Sequence, residues 1–280
     1  VFSASVLAAA FIAIFLAFTI CTEASDADVV IEGETGDVGY VLDTDGVLTI
    51  SGSGAMADYS RDGPPWSDSR LGEVKVKSIV IGDGVTNVGD LAFFGCEHVE
   101  EISIGKDVTA IGTTVLSSKH IKDLTIPEGV VSIGSYAFQY CSKLETIDFP
   151  STVTTVGTQA FLSCGEKCVV NLAGMDTWFY IDFEDSTSNP VYNSGKAFID
   201  GVKVSSVDIP GDLEVIKPYT FYGWKCLEEV NMGDVVKTIS VGAFANTGIK
   251  TLDMSSNLVS LEESAFSMCL LEEVVLPDSA

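Results

Sequence analysis

From residue 76 onward, apolar and polar positions follow one short pattern that keeps returning. IKDLTIP and LETIDFP both read L-x-x-I-x-I, and the alternation at its end is that of a strand with one buried face. Pro127, Pro150, Pro210 and Pro277, or Gly82 and Gly105, then end the strand by removing a ladder donor or permitting a tight turn. A second apolar pair such as Val130 and Ile133 points back inward, the following Gly supplies a bend, and Ala-Phe completes the unit. Blocks begin at Val76, Val99, Ile121, Leu144, Val204, Leu227, Ile249 and Leu271, at steps of 22 to 24 residues apart from one long gap.

A unit of this length cannot enclose a core, so successive units must stack and share one. The predicted fold is a mainly β repeat solenoid, with one short strand per coil stacked into a parallel sheet. Phe93, Leu116, Phe138, Phe161, Phe221, Phe244 and Phe266 occupy one position of seven coils. At a strand spacing of about 4.8 Å their side chains would touch and form a spine.

The shared pattern, L-x-x-I-x-I-P-x-x-V-x-x-I-G-x-x-A-F-x-x-C over residues 76–280, resembles the BspA-like (Treponema pallidum-type) leucine-rich repeat. GYVLDTDGVLTISGSGAMADYSRDGPPWSDSR, residues 39–70, is similar to the segment that opens such arrays. Val115-Leu116 in place of Ala-Phe, Trp224 in place of Cys, and Met232 and Met254 in place of Ile depart from the pattern. The resemblance implies a microbial surface or secreted protein.

Both ends of a solenoid expose core and need covering. Residues 28–75 suit a capping role: Tyr40–Leu42 and Val47–Ile50 flank Asp43-Thr44-Asp45-Gly46 and read as a hairpin that extends the first sheet. Asp43 and Asp45 are turn residues in this reading, since Gly46 comes too early for an EF-hand loop. An enlarged coil at 168–203 carries Trp178, Phe179, Tyr180, Phe183, Tyr192 and Phe198, expected mostly to pack inside it. The array stops at LEEVVLPDSA in mid-repeat, and the natural chain is expected to continue. Residues 1–27 open with an uncharged apolar run of membrane-spanning length, read as a signal peptide with Ala24 or Ala27 at the cleavage site, or as an N-terminal membrane anchor. Both place the protein outside the cell, secreted or on its surface.

Charge narrows the partners. With 15 basic against 40 acidic residues the net charge is −25, which repels a phosphate backbone and argues against nucleic acid. Cys96, Cys141, Cys164 and Cys269 follow the spine position by three residues, as buried thiols would. A disulfide is within reach only among Cys141, Cys164 and Cys168, and that question stays open. No metal-ligand spacing, nucleophile elbow or phosphate loop occurs, and His98 and His120 read as solvated turn residues. Glu228-Glu229 and Glu272-Glu273 sit on adjacent strand positions and so point to opposite faces, unlike a glycosidase pair. The expectation is a non-enzyme without cofactor or metal.

What remains is the outward face of the strands. Its first column is Ser78, Glu101, Asp123, Thr146, Ser206, Glu229, Thr251 and Glu273; its second is Val80, Ser103, Thr125, Asp148, Asp208, Asn231, Asp253 and Val275. Glu101, Asp123, Asp148, Asp208, Glu229, Asn231, Asp253 and Glu273 are the candidate binding residues, for an extracellular protein or glycan. The leading expectation is a binding scaffold of the adhesion type. The alternatives are a structural spacer in a surface assembly and a targeting array for an enzyme domain past residue 280.

Overall fold

The computed structural model describes residues 27–271; the N-terminal apolar segment and Glu273 lie outside them. The described chain is a β-solenoid in which regular helix is confined to the single turn Asp68–Leu71 and two 3-10 turns. None of its helices is long and apolar enough to cross a membrane. The cap is a three-stranded antiparallel meander: Val38–Asp43 pairs with Val47–Gly52 as expected, and Val29–Thr35 adds a strand on the outside. Asp43 accepts from the backbone N–H groups of Asp45 and Val47 at 3.0 and 2.9 Å, so its carboxylate closes the turn. Val47–Gly52 then pairs in parallel with Ser78–Ile81, which joins the cap to the first two coils in one sheet ending at Glu101–Ser103; a new sheet begins at Asp123–Thr125.

L-x-x-I-x-I segments pair in parallel with identical positions opposite one another. Asp123 faces Thr146 and Leu124 faces Ile147; Glu229 faces Ser206 on one side and Thr251 on the other. Each coil also carries a second, shorter strand at the V-x-x-I pair, which the pattern did not declare as one. Ala110–Ile111, Ser132–Ile133 and Thr155–Val156 form a second parallel ladder across the core. The core lies between the two ladders, with Val130, Ile133, Phe138 and Ile147 all buried.

The spine is continuous within each half. Phe138 and Phe161 stack at 5.7 Å between centroids, Phe221 and Phe244 at 5.1 Å, and Phe244 and Phe266 at 5.2 Å. Trp66 of the cap stands 6.4 Å from Phe93, and its indole N–H donates to the Ala92 carbonyl at 2.9 Å. It supplies the first ring of the column.

Two backbone features underlie the bend. The glycine after Ile does not sit in the left-handed region; instead, a Cβ on Gly134 would fall on the backbone of Gly112, and one on Gly157 on that of Gly134. These glycines let neighbouring coils approach. The left-handed residues come two positions later and again four residues after that: Tyr136 and Tyr140 (φ 60° and 66°), Gln159 and Ser163 (56° and 59°). This corrects the expectation that the glycine itself supplies the bend.

In the enlarged coil Val169–Leu172 continues the strand ladder and Asp182–Phe183 the second one. Ala197–Ile199 then turns back on Val202–Lys203 as an antiparallel hairpin, and both ladders restart afterwards, at Ser206–Asp208 and Val215–Ile216. Trp178, Phe179 and Phe183 are buried, Tyr192 and Phe198 half-buried and Tyr180 exposed, so the packing expectation holds. Trp178 repeats the device of Trp66: its indole N–H donates to the carbonyl of Thr220, which stands where Ala precedes the spine Phe.

Phe138→Ala empties a fully buried spine position and is expected to lower unfolding free energy by about 3–5 kcal/mol, measured by urea denaturation. Gly95 holds φ 80° and a Cβ there meets only Ser67, at 3.4 Å. Gly95→Ala therefore isolates the cost of the left-handed turn, and a loss of about 1–2 kcal/mol in the same assay is expected.

Candidate functional site

The strand ladder assembles the two outward columns. Glu101, Asp123, Asp148, Asp208, Glu229 and Asn231 are all exposed on it. Asp253 lies in register beside Asn231, and Glu273 falls outside the described residues. Three members missing from the expected columns enter through the enlarged coil: Val169 opposite Thr146, Asn171 opposite Asp148, and Phe198 opposite Asn171. CVVNL carried the signal, since Val170 and Leu172 alternate as Ile147 and Phe149 do, but the broken period concealed it.

Side chains along these columns are tied to one another across coils. Thr146 donates to Asp123 at 2.6 Å, and Asp148 accepts from Thr125 at 3.0 Å and from Asn171 at 2.8 Å. A hydroxyl or amide next to each carboxylate removes the repulsion that stacked carboxylates would suffer and holds the oxygens in fixed positions. Farther along, Glu229, Val230, Asn231, Thr251 and Leu252 line a shallow depression of about 330 Å³. Such a surface offers acceptors in a regular array, suited to cationic or polyhydroxylated ligands and lacking any acid–base pair directed at a single bond.

Glu228 and Glu229 separate as their spacing requires: Glu228 is 2.7 Å from the Lys250 ammonium, whose hydrogen bond holds its carboxyl below the usual range, while Glu229 belongs to the outward column. His98 and His120 are exposed and stack at 6.1 Å, and His98 Nδ1 lies 2.8 Å from Asp68 Oδ2. Sequence reasoning placed both histidines at the surface but did not foresee this link to the cap. No group of three His, Cys, Asp or Glu among the described residues is placed to hold a metal ion.

The thiols form a ladder of their own. Cys96, Cys141, Cys164 and Cys269 donate to the carbonyls of Trp66, Leu116, Phe138 and Phe244, the spine residue of the preceding coil in each case. Cys141, Cys164 and Cys168 are free thiols in the structure rather than a disulfide. Burial pushes Cys141 and Cys168 up to about 12 and raises Cys164 in the same direction.

Comparison with known proteins accords with this geometry. A family model described as the BspA type leucine rich repeat region matches residues 69–182 and 193–280, in six copies. The chain belongs to the BspA-type leucine-rich repeat family. The gap between the two matched stretches falls in the enlarged coil, before the ladders restart. This BspA-type chain is similar to a leucine rich cell surface protein from Faecalibacterium prausnitzii, at 20% identity over 90% of this chain and 84% of that one, with TM-score 0.40. It is also similar to a leucine-rich repeat protein from Eubacterium ventriosum, at 18% identity over 88% and 96% with TM-score 0.31. The Treponema pallidum leucine rich repeat protein aligns at 17% identity over 86% and 85%, with TM-score 0.32. No curated protein matches the chain.

The raised thiols predict a pH dependence with a definite sign. An unfolded chain releases these protons from about the ordinary value of 9.0, whereas the folded chain keeps those of Cys141 and Cys168 to about 12. Stability is therefore full below pH 9 and falls between 9 and 12, by about 1.4 kcal/mol per pH unit for each thiol. Urea midpoints at pH 8 and at about pH 10.5 are expected to differ less in a Cys141→Ala, Cys168→Ala variant than in the parent; equal differences would contradict the assignment.

Proposed function

We propose that this chain is a secreted or cell-surface binding scaffold that performs no chemistry and recognises an extracellular protein or glycan through the outward face of its strand ladder. One observation carries the reading: carboxylates at Asp123 and Asp148 are held in a fixed array by hydroxyl and amide neighbours one coil away. Pre-ordered acceptors cost little conformational entropy when a partner arrives, and their charge steers a basic surface toward them. The family supports the setting, since the related Faecalibacterium prausnitzii protein is itself a cell surface protein.

The spacer reading predicts the same fold without a ligand, so the experiment separates the two. The purified array is screened by surface plasmon resonance against extracellular-matrix proteins and a glycan panel. The screen is repeated with Asp123, Asp148, Asp208 and Glu229 each changed to Lys, all four being exposed. Binding is expected to weaken at least about tenfold, through the association rate most of all for a basic partner. A ligand bound equally by parent and variant removes the strand face from consideration, and a chain with no saturable ligand favours the spacer.

A further inference from the structure

A second depression lies away from that face, at the corner that leads into the strands. An open groove of about 730 Å³ is lined by one corner of each of five successive coils, from Ser142–Glu145 through Leu162–Lys167 and Tyr192–Asn193 to Lys225 and Asn246. Its size lies within the range of small-molecule sites, but its lining is mainly polar. Lys143, Lys167 and Lys225 all border it.

Ion pairing divides the lysines of the chain. Lys106, Lys122, Lys203, Lys217, Lys237 and Lys250 each have a carboxylate within 4 Å. Lys143, Lys167 and Lys225, like Lys75, Lys77, Lys119 and Lys196, make no ion pair with any described residue, although carboxylates outnumber cations 40 to 15; these three alone of the seven border one groove. Of the two glutamates in the groove, Glu145 is 3.4 Å from Lys122, leaving Glu166 as the one acid not paired with a cation. The side chains of Ser142, Ser163 and Asn246 and the Tyr192 hydroxyl also have no hydrogen-bond partner among the described residues, so donors and acceptors face the same space.

The walls are built to hold their shape. A Cβ on Gly165 would fall on the Leu144 carbonyl, one on Gly195 would lie 2.7 Å from Lys225 Cβ, and one on Gly223 2.9 Å from Tyr192 Cα. Asn193 donates to the Phe161 carbonyl at 2.8 Å, and the Cys226 N–H to the Gly195 carbonyl at 2.9 Å. Ser163 and Asn246 sit in the left-handed region, at φ 59° in both cases. A groove fixed by backbone contacts loses little freedom on binding.

We infer that this groove binds a short acidic oligosaccharide, with the three ammonium groups on its carboxylates and the hydroxyl, amide and phenol groups on its hydroxyls. Size selects against longer polyanions. At physiological salt a charge is felt over about 8 Å, so a ligand confined to the groove meets the lysines, while one extending past it meets the surrounding carboxylates. The inference stands independently of the strand-face reading, because Lys143, Lys167 and Lys225 belong to neither outward column.

Isothermal titration with tetragalacturonate, maltotetraose and inorganic phosphate tests it. Tetragalacturonate is expected to bind at least about tenfold more tightly than maltotetraose, and more weakly as salt is raised. A Lys143→Gln, Lys167→Gln, Lys225→Gln variant is expected to lose at least about tenfold in affinity. A Lys106→Gln, Lys237→Gln control, altered outside the groove, is expected to keep it. All substituted positions are exposed, so an unchanged thermal midpoint serves as the check on folding. Equal binding of the neutral sugar, unchanged binding by the triple variant, or phosphate binding as tightly as the acidic sugar would each overturn the assignment.

Discussion

A coil of some two dozen residues buries its apolar side chains only by laying them on the matching side chains of the next coil, and every other feature of this protein follows from that. Register is the consequence. With Leu124 opposite Ile147 and Phe138 against Phe161, a slip of one residue would turn each strand's buried set outward. The glycine column obeys the same constraint from the backbone side: Gly112, Gly134 and Gly157 stack where a side chain would hold the coils apart.

Stacking like on like endangers charged positions, because identical carboxylates one coil apart would repel. The chain answers by alternating partners at a separation of one coil. Asp123 meets Thr146, Glu128 meets Ser151, and Asp234 meets Ser256; Lys106 meets Asp83, Lys122 meets Glu145, Lys237 meets Glu214, and Lys250 meets Glu228. Each exposed pair adds little by itself. Together they let a chain of net charge −25 stack without placing carboxylate directly on carboxylate at these positions. Where the alternation lapses, as with Lys143, Lys167 and Lys225 on the groove, charge is left for something other than the fold.

Legibility in the sequence tracks this logic. The spine, the strand register and the hairpin were readable because each rests on residue types repeated at one spacing, from Phe93 to Phe266. The second ladder was not, since a two-residue strand such as Ser132–Ile133 has no alternation to display. The left-handed corners were hidden for a different reason: Leu91, Thr114, Tyr136, Gln159 and Tyr219 share a conformation but no chemistry, so no column of like residues marks it. For the site, both outward columns could be listed from the pattern, whereas Val169, Asn171 and Phe198 escaped because the enlarged coil broke the count. The groove was invisible, being made from corners of five coils that no local motif joins.

The enlarged coil is best understood as a second beginning. Trp66 closes the first array by donating its indole N–H to the Ala92 carbonyl, and Trp178 does the same for the coil of Thr220 and Phe221. Asn189 reinforces it by donating to the carbonyls of Tyr219 and Thr220. The second ladder ends just before this point, the strand ladder runs on into the hairpin Ala197–Lys203, and both restart just after it. An interrupted array need not keep the corner column closed, and the widened corner between Cys164 and Lys225 becomes the groove. The departure from the repeat that a stacking argument alone would count as a defect is thus a place where this solenoid gains a concave, polar, cation-lined surface.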